Sequence, residues 1–428
     1  MTTEQQTANK PERTLTEWVE RVEAMHPENI ALGLDRIRQV KGRLNLVFSC
    51  PIVIVGGTNG KGSTCAMLET IWMTAGYQVG QYTSPHIHYF NERIRINGRM
   101  VNDETLVRAF EAVEAVRDDV PLTFFEFTTL VAMKLFADAG LDVVVLEVGL
   151  GGRLDAVNLL DADVAVVTNV DIDHVAFLGD TKEKIGFEKA GVYRKGRTAI
   201  YGEINPPKSL LDHAAAIGAD LKCYGKDYAG EKDGDTWHYR GPDGTALWEL
   251  PLPALYGDRQ IVNAATVLTV VHELQGRLPV YIESIGEALK NVRLPGRFET
   301  IQQDPLTIID VSHNPHAAGV LAENLKALPC TGRTLAVYGA MADKDIDGVI
   351  AVLKDQIDAW YVSSLPLPRA EEAGILRQKL LAAGVPDNRI SVFEKADDAL
   401  LSAQKNALKN DRIIAFGSFW VVTGITHA

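Results

Sequence analysis

The chain has 428 residues and a formal net charge of −13, with 46% hydrophobic and 23% charged residues. That length allows two or three domains with cores of their own, and the acidic balance argues against non-specific nucleic-acid binding. No apolar run approaches a membrane span, the polar start MTTEQQTANKPER lacks a signal-peptide core, and Cys50, Cys65, Cys223 and Cys330 are spaced for neither a disulfide framework nor a zinc site, so a reducing, cytoplasmic setting is expected.

Residues 1 to about 13 read as disordered, and Thr14–Met25 and Ile30–Leu44 as helices, with Leu34, Ile37, Val40 and Leu44 at helical spacing. The apolar run Pro51–Val55 predicts a short buried strand. GGTNGKGST (Gly56–Thr64) follows it directly, ahead of a helix-compatible segment, Thr64–Ala75. Strand, glycine-rich turn and helix together build a phosphate cradle. The glycines let backbone N–H groups approach an anion, Lys61 adds a mobile charge, and the helix N-terminus adds its dipole. The strict pattern GxxxxGK[ST] fails, because position 55 is Val and position 62 is Gly, so the hydroxyls of Ser63 and Thr64 come one residue late.

Strands are expected at 142–148, 163–168 and 197–201, each a near-continuous apolar run as in a parallel sheet covered on both faces. The aromatic, turn-rich stretch 223–253 predicts a small antiparallel excursion. Helices Gln260–Gln275 and Tyr281–Asn291 precede Leu294-Pro-Gly-Arg-Phe298, which reads as an interdomain hinge. Beyond it the alternation restarts, with strands at 306–310, 334–338, 359–363, 389–393 and 412–416. The expected fold class is α/β: a P-loop-type, mostly parallel-sheet ATPase domain over 1–295, with a helical N-terminal segment, and a smaller Rossmann-like α/β domain over 296–428.

Several short stretches carry chemistry. Tyr82-Thr83-Ser84-Pro85-His86 should end the next strand, where ligand-facing residues of open α/β sheets gather, although a turn set by Pro85 would leave the same composition. Glu147 ends strand 142–148, and an acidic residue beside a phosphate loop is the usual second handhold for Mg²⁺. The glycine run after it is no dinucleotide fingerprint, since Leu154 stands where the third glycine should fall. His174 reads either as a metal ligand or as a polar loop residue, and Lys189 by default as a solvated helix lysine.

GTNGKGST, TSPHIHYFNERI, FFEFTTL, LEVGLGGRLDAVN, the DHVAFLG loop, IGFEKAGV, LPGRFE, DVSHNPHA and the closing GSF together resemble the folylpolyglutamate synthase and dihydrofolate synthase family. That family belongs to the ATP-dependent amide ligases that also include the Mur peptidoglycan ligases, and the similarity runs from about residue 14 to the C-terminus, strongest to the bacterial bifunctional members. The resemblance implies that Thr58, Asn59, Gly60, Lys61, Gly62 and Ser63 hold the ATP phosphates, and that Asn263, Arg297 and Asp310 contact ATP across the domain gap. It implies that Ser84, Glu147 and His174 ligate two magnesium ions, with a monovalent cation as a further candidate. Lys189 matches a lysine carbamylated on its amine. Thr123, Phe124, Phe125 and Glu126, with Leu154, Asp155 and Ala156, match segments lining a pterin site, Phe124 as its apolar wall. Leu32 and Gly33 match another part of it, where bifunctional members often carry an Asp and this chain has Ala31. His313 and Ser418 match the amino-acid or phosphate site.

The activity so implied is an ATP-dependent amide ligase adding L-glutamate to dihydropteroate and to folate (poly)glutamates, a monomer with small-molecule substrates and neither nucleic-acid nor membrane partners. A carboxylate resists attack until phosphorylation turns it into an acyl phosphate, and such chemistry needs positioning and charge neutralisation more than an enzyme nucleophile. Other classes fit worse. A GTPase would need N-K-x-D, but Thr168-Asn169-Val170-Asp171 lacks the lysine, and a dinucleotide oxidoreductase would need G-x-G-x-x-G after the first strand. Within the ligases, a folylpolyglutamate synthase alone and a Mur-type peptide ligase are the alternatives.

Overall fold

The computed structural model describes residues 13–28 and 30–426, so the reading of residues 1–12 as disordered lies outside the described residues. The first sheet is built from β1 (Ile52–Gly56), β2 (Val79–Tyr82), β3 (Ile94–Ile96), β4 (Arg99–Met100), β5 (Val143–Glu147), β6 (Val164–Val167), β7 (Thr198–Tyr201) and β8 (Asp220–Cys223). Their order is β4-β3-β2-β5-β1-β6-β7-β8, parallel except for β3 and β4 at one edge. β1 is central. Its Val55 stands opposite Glu147 on one side and Val166 on the other, which brings the C-terminal ends of β5 and β6 up beside the phosphate loop. Every residue of β1 is buried, because Ile52 and Ile54 enter the core on one face and Val53 and Val55 the core on the other.

The aromatic stretch forms the expected antiparallel sheet, β9 (Ala229–Asp233), β10 (Thr236–Arg240) and β11 (Ala246–Pro251). Trp237 and Tyr239 are buried, and the Tyr239 hydroxyl meets Thr269 Oγ1 at 3.0 Å on helix Arg259–Glu273. This excursion braces the helix that carries Asn263. The last sheet comprises β12 (Glu299–Gln303), β13 (Leu306–Ile309), β14 (Thr334–Tyr338), β15 (Ala359–Ser363), β16 (Ile390–Phe393) and β17 (Arg412–Phe416), in the order β12-β13-β17-β14-β15-β16. Its parallel strands match the predicted ones to within a residue. The antiparallel edge strand β12 was not legible, because Glu299-Thr-Ile-Gln-Gln303 is polar and largely exposed and shows no apolar alternation.

Two helix starts differ from expectation. The second helix begins at Asp35, not Ile30, because Arg36 donates to the Ala31 carbonyl at 2.6 Å and pairs with Glu126 at 3.2 Å, holding residues 30–34 off the helix. The phosphate-loop helix begins at Lys61 rather than Thr64; its first turn is poor in helix formers, so propensity hides it. Among the described residues no helix is long and apolar enough to cross a membrane.

Helix Lys182–Ala190, which carries Lys189, is fastened at its end by Arg194. That guanidinium donates to the carbonyls of Gly191 (3.2 Å), Val192 (3.1 Å) and Asn158 (3.0 Å), tying the helix end to the turn Ala156–Leu159. Arg194→Ala leaves these acceptors short of a charged donor and should lower stability by about 2–3 kcal/mol in urea unfolding.

Candidate active site

The phosphate loop takes its shape from backbone contacts to the end of β6. Thr58 N–H donates to the Asn169 carbonyl at 3.1 Å, Asn59 N–H to Asn169 Oδ1 at 3.0 Å, and Thr168 Oγ1 to the Asn59 carbonyl at 2.6 Å. Gly57 has a φ of 140°, and a Cβ there would lie 1.8 Å from Thr168 Oγ1. No other residue fits. Gly60 precedes helix Lys61–Thr74 without any side-chain cap, which leaves the first-turn amides available to an anion. The Lys61 ammonium folds back over the loop, donating to the carbonyls of Gly57 (3.1 Å) and Thr58 (3.2 Å).

Three predicted nucleotide contacts converge on this loop. A Cβ on Gly60 would lie 3.0 Å from Asn263 Oδ1, and one on Gly62 would lie 3.7 Å from an Arg297 guanidinium nitrogen. Asp310 stands beside Arg297, its Oδ2 accepting from Phe298 N–H at 2.8 Å. Burial lowers the Arg297 pKa, against the opposing charges of Asp310 and Glu147. Arg297 thus brings a cation from the segment Leu294–Phe298 onto a loop of the first sheet.

Glu147 is buried, and its Oε2 accepts from Ser84 N–H at 3.1 Å. Burial raises its pKa, while Lys61, the Ser84 amide, Arg297 and Arg93 act the other way. A carboxylate and a hydroxyl at this point are hard oxygen donors of the kind Mg²⁺ takes. His174 is engaged by Lys344, whose Nζ lies 3.5 Å from its Nε2, and by Asp173. Burial, followed by Lys344, pulls its pKa down to about 4, which favours the neutral ring. Among the described residues no three His, Cys, Asp or Glu side chains gather closely enough to hold a metal by themselves.

The default reading of Lys189 as a solvated lysine is corrected by its burial, with 4% of the residue exposed. Burial and then the charge of Lys61 lower its pKa to about 7, against Asp173 and Asp155. Burial thus favours the uncharged form of this amine. Asp155 is also buried, which raises its pKa to about 7. Its Oδ2 accepts from Leu150 N–H at 2.8 Å and its Oδ1 from Val157 N–H at 3.0 Å, so it shapes the turn holding Leu154 and Ala156.

In the expected pterin region, Thr123 and Glu126 form a capping box on helix Phe124–Asp138, and Glu126 also holds Arg36. They fix the loop that contains Leu32 and Gly33 relative to the helix start. Phe124 lies under the Arg93 guanidinium at 5.2 Å from its ring centroid, and Phe125 packs 5.9 Å from Tyr82. His313 and Ser418 follow β13 and β17, neighbouring strands of the last sheet. His313 Nδ1 meets the Val311 carbonyl at 2.9 Å, and Ser418 Oγ accepts from Trp420 N–H at 3.2 Å.

Asn314 and His316, which the sequence reading did not single out, join the two sheets through Asn59 and Glu203. Asn59 and Asn314 form a reciprocal amide pair, 3.2 Å one way and 3.1 Å the other, and Asn59 Nδ2 also lies 2.9 Å from His316 Nδ1. Asn314 lay within the conspicuous HNPHA run, but nothing in the sequence paired it with the phosphate loop. His316 in turn faces Glu203, which pairs with Arg259.

Comparison with known proteins decides the family. The Mur ligase middle domain matches residues 55–270, and the Mur ligase glutamate ligase domain matches residues 296–419. The dihydrofolate synthase/folylpolyglutamate synthase of Escherichia coli strain K12 is 41% identical over 412 residues, covering 96% of this chain and 94% of that protein. The chain belongs to the dihydrofolate synthase/folylpolyglutamate synthase family of Mur ligases. The Bacillus subtilis strain 168 member of this family is 31% identical, covering 92% of this chain and 94% of its own. A solved structure of E. coli FolC in complex with DHPP and ADP superposes with a TM-score of 0.92 at 40% identity, covering 98% of each chain. A bifunctional folylpolyglutamate synthase/dihydrofolate synthase with Mn, AMPPNP and L-glutamate bound does so with a TM-score of 0.90 at 40% identity, again over 98% of each.

Removing the Lys61 ammonium should weaken nucleotide binding without disturbing the fold, since among the described residues its hydrogen bonds go to two carbonyls of its own loop, those of Gly57 and Thr58. A charged hydrogen bond contributes about 1.5–3 kcal/mol, so Lys61→Ala should lose roughly 10- to 100-fold in affinity for a fluorescent ATP analogue while its thermal melt stays put.

Proposed function

We propose that this chain joins L-glutamate to dihydropteroate, giving dihydrofolate, and to folate mono- and polyglutamates, with ATP and through an acyl phosphate. The observation that carries this reading is the meeting of Lys61, Glu147 and Arg297 at one phosphate loop, in a chain alike over its whole length to dihydrofolate synthase/folylpolyglutamate synthases. Residues 1–295 act as the ATP-binding unit and residues 296–428 as the glutamate-ligase unit, in the cytoplasm and as a monomer.

In this mechanism the first-turn amides, Lys61 and Arg297 hold the ATP phosphates, so that a substrate carboxylate can attack the terminal phosphorus and release ADP. The amine of glutamate then attacks the acyl carbon, and phosphate leaves with the C–O electron pair as the amine loses a proton. Ser84, Glu147 and His174 would hold Mg²⁺, which offsets phosphate charge when bound. Phe124, Leu154 and the loop at Leu32 would wall the pterin. Asn263 and Asp310 would fix the nucleotide, and His313 and Ser418 would face the incoming amino acid. Closing the site against water protects the acyl phosphate from hydrolysis.

Purified protein given ATP, glutamate and either dihydropteroate or a reduced folate monoglutamate should form an amide from both. Amide from the folate alone would leave a folylpolyglutamate synthase, and none from either would end the reading. Lys189 offers a second test. Its burial and depressed pKa supply the free amine that carbamylation by CO₂ requires, and the product would be a carboxylate within reach of the Lys61 charge. Lys189→Ala should then lose most ligation and regain part of it with a short-chain carboxylic acid. A surface lysine would instead show an effect within about 0.5 kcal/mol.

A further inference from the structure

One carboxylate at the junction of the two large sheets collects partners from the far side. Asp173 follows β6, and 9% of its side chain is exposed. Its Oδ1 accepts from Lys344 Nζ at 2.7 Å and its Oδ2 from Asn314 Nδ2 at 3.1 Å, while His313 Nε2 lies 3.7 Å from Oδ2. These three partners come from two separate loops at one edge of the last sheet: His313 and Asn314 follow β13, and Lys344 follows β14. Lys344 is itself only 11% exposed. The pair is desolvated on both sides, unlike surface pairs such as Lys208–Asp212, at 79% and 61% exposed.

A desolvated ion pair adds little net stability, but it penalises any arrangement that separates the charges without water, so it fixes geometry. Bonds from one carboxylate to two loops restrain both the distance and the rotation of the second unit against the first. The shared anchor also lies next to the phosphate loop, since Asn314 bonds Asn59 as well as Asp173.

We propose that Asp173 and Lys344 are a positioning pair for the ligation, docking the β13 and β14 loops onto the phosphate loop so that the amine of glutamate reaches the acyl phosphate before water does. This rests on the ligase reading above. Neither residue touches the reacting atoms. With the pair broken, water attacks the acyl carbon in place of the amine, the C–O bond to phosphate breaks, and the carboxylate and inorganic phosphate are released. ATP is then hydrolysed with no amide formed.

The test uses the full chain as wild type, Lys344→Met, Asp173→Asn and the double variant, measuring amide and ADP together with the thermal melt. Misplacement of a reactant by about 1 Å can cost about 100-fold, so a loss of that order in amide formation is expected for Lys344→Met. Its KM for ATP should stay within about twofold of wild type, because the phosphate loop itself is untouched. ADP released per amide should rise above one, which a merely structural defect would not produce. The double variant should be no slower than Lys344→Met, since residues sharing one interaction are non-additive. The proposal is overturned by a Lys344→Met enzyme that keeps one ADP per amide, or by losses that multiply in the double variant. If Asp173→Asn does not fold, the ADP-to-amide ratio of Lys344→Met decides alone. A wild type that forms no amide at all overturns the ligase reading instead.

Discussion

A chain of net charge −13 that binds a polyphosphate has to concentrate cations locally, and the cost of doing so organises the rest of this structure. Lys61, Arg297, Lys189 and Lys344 crowd around a single loop, partly or wholly withdrawn from water. Their mutual repulsion is visible in Lys189, whose pKa is lowered by burial and then by Lys61; at Arg297 it is burial alone that lowers the pKa, against two carboxylates. What makes the crowd tolerable is an interleaved set of acids. Glu147 faces Lys61 and Arg297, Asp310 flanks Arg297, and Asp173 holds Lys344. Each acid comes at or just after the C-terminal end of a strand, so the two sheets set the charge pattern through their strand order.

Backbone stiffness then fixes where the pattern sits. The loop after β1 cannot move relative to β6 without breaking the Thr168 and Asn169 contacts, and the contact distance at Gly57 leaves no room for a side chain. The same economy recurs at Lys189: a Cβ on Gly152 would lie 2.9 Å from the Lys189 carbonyl, so the glycine run after β5 is what lets the lysine-bearing helix press against the site. Arg194 fastens the same C-terminal end of that helix to the turn Ala156–Leu159. The glycines are therefore best understood as permitting approach, while the hydrogen-bonding side chains decide its direction.

This distinction explains what was legible in the sequence. Features written as backbone constraints were readable: the phosphate loop and the α/β alternation leave glycines or apolar runs in fixed places. Glu147 was readable too, as an acid ending an apolar strand. Depth was not. Helix Lys182–Ala190 reads KEKIGFEKA, charged enough to pass for a solvated helix, and only the packing of the 149–155 loop reveals that Lys189 is buried. Asp343-Lys344-Asp345 likewise has the composition of a surface turn. Thr123 and Glu126, conspicuous in the sequence, turn out to cap a helix and anchor Arg36, a role set by spacing of three residues that also carries the capping-box signature.

The seam between the two large sheets differs from one end to the other. Beside Gly296 it is largely apolar: Val311, Ile87 and Val422 pack there, and Thr423 Oγ1 donates to the Ile87 carbonyl at 2.7 Å. At the phosphate loop it is polar, made of the Asn59–Asn314 amide pair, the Asp173–Lys344 ion pair and the facing of His316 on Glu203. Apolar surface is costly to expose, at about 25 cal/mol per Å², whereas amide pairs exchange for water at a net cost of about 1 kcal/mol each. Separating the polar contacts therefore costs less per contact than exposing the apolar ones beside Gly296. A site that must admit a nucleotide, a pterin and an amino acid, and then exclude water, requires that asymmetry, and it arises here from which side chains each strand end presents.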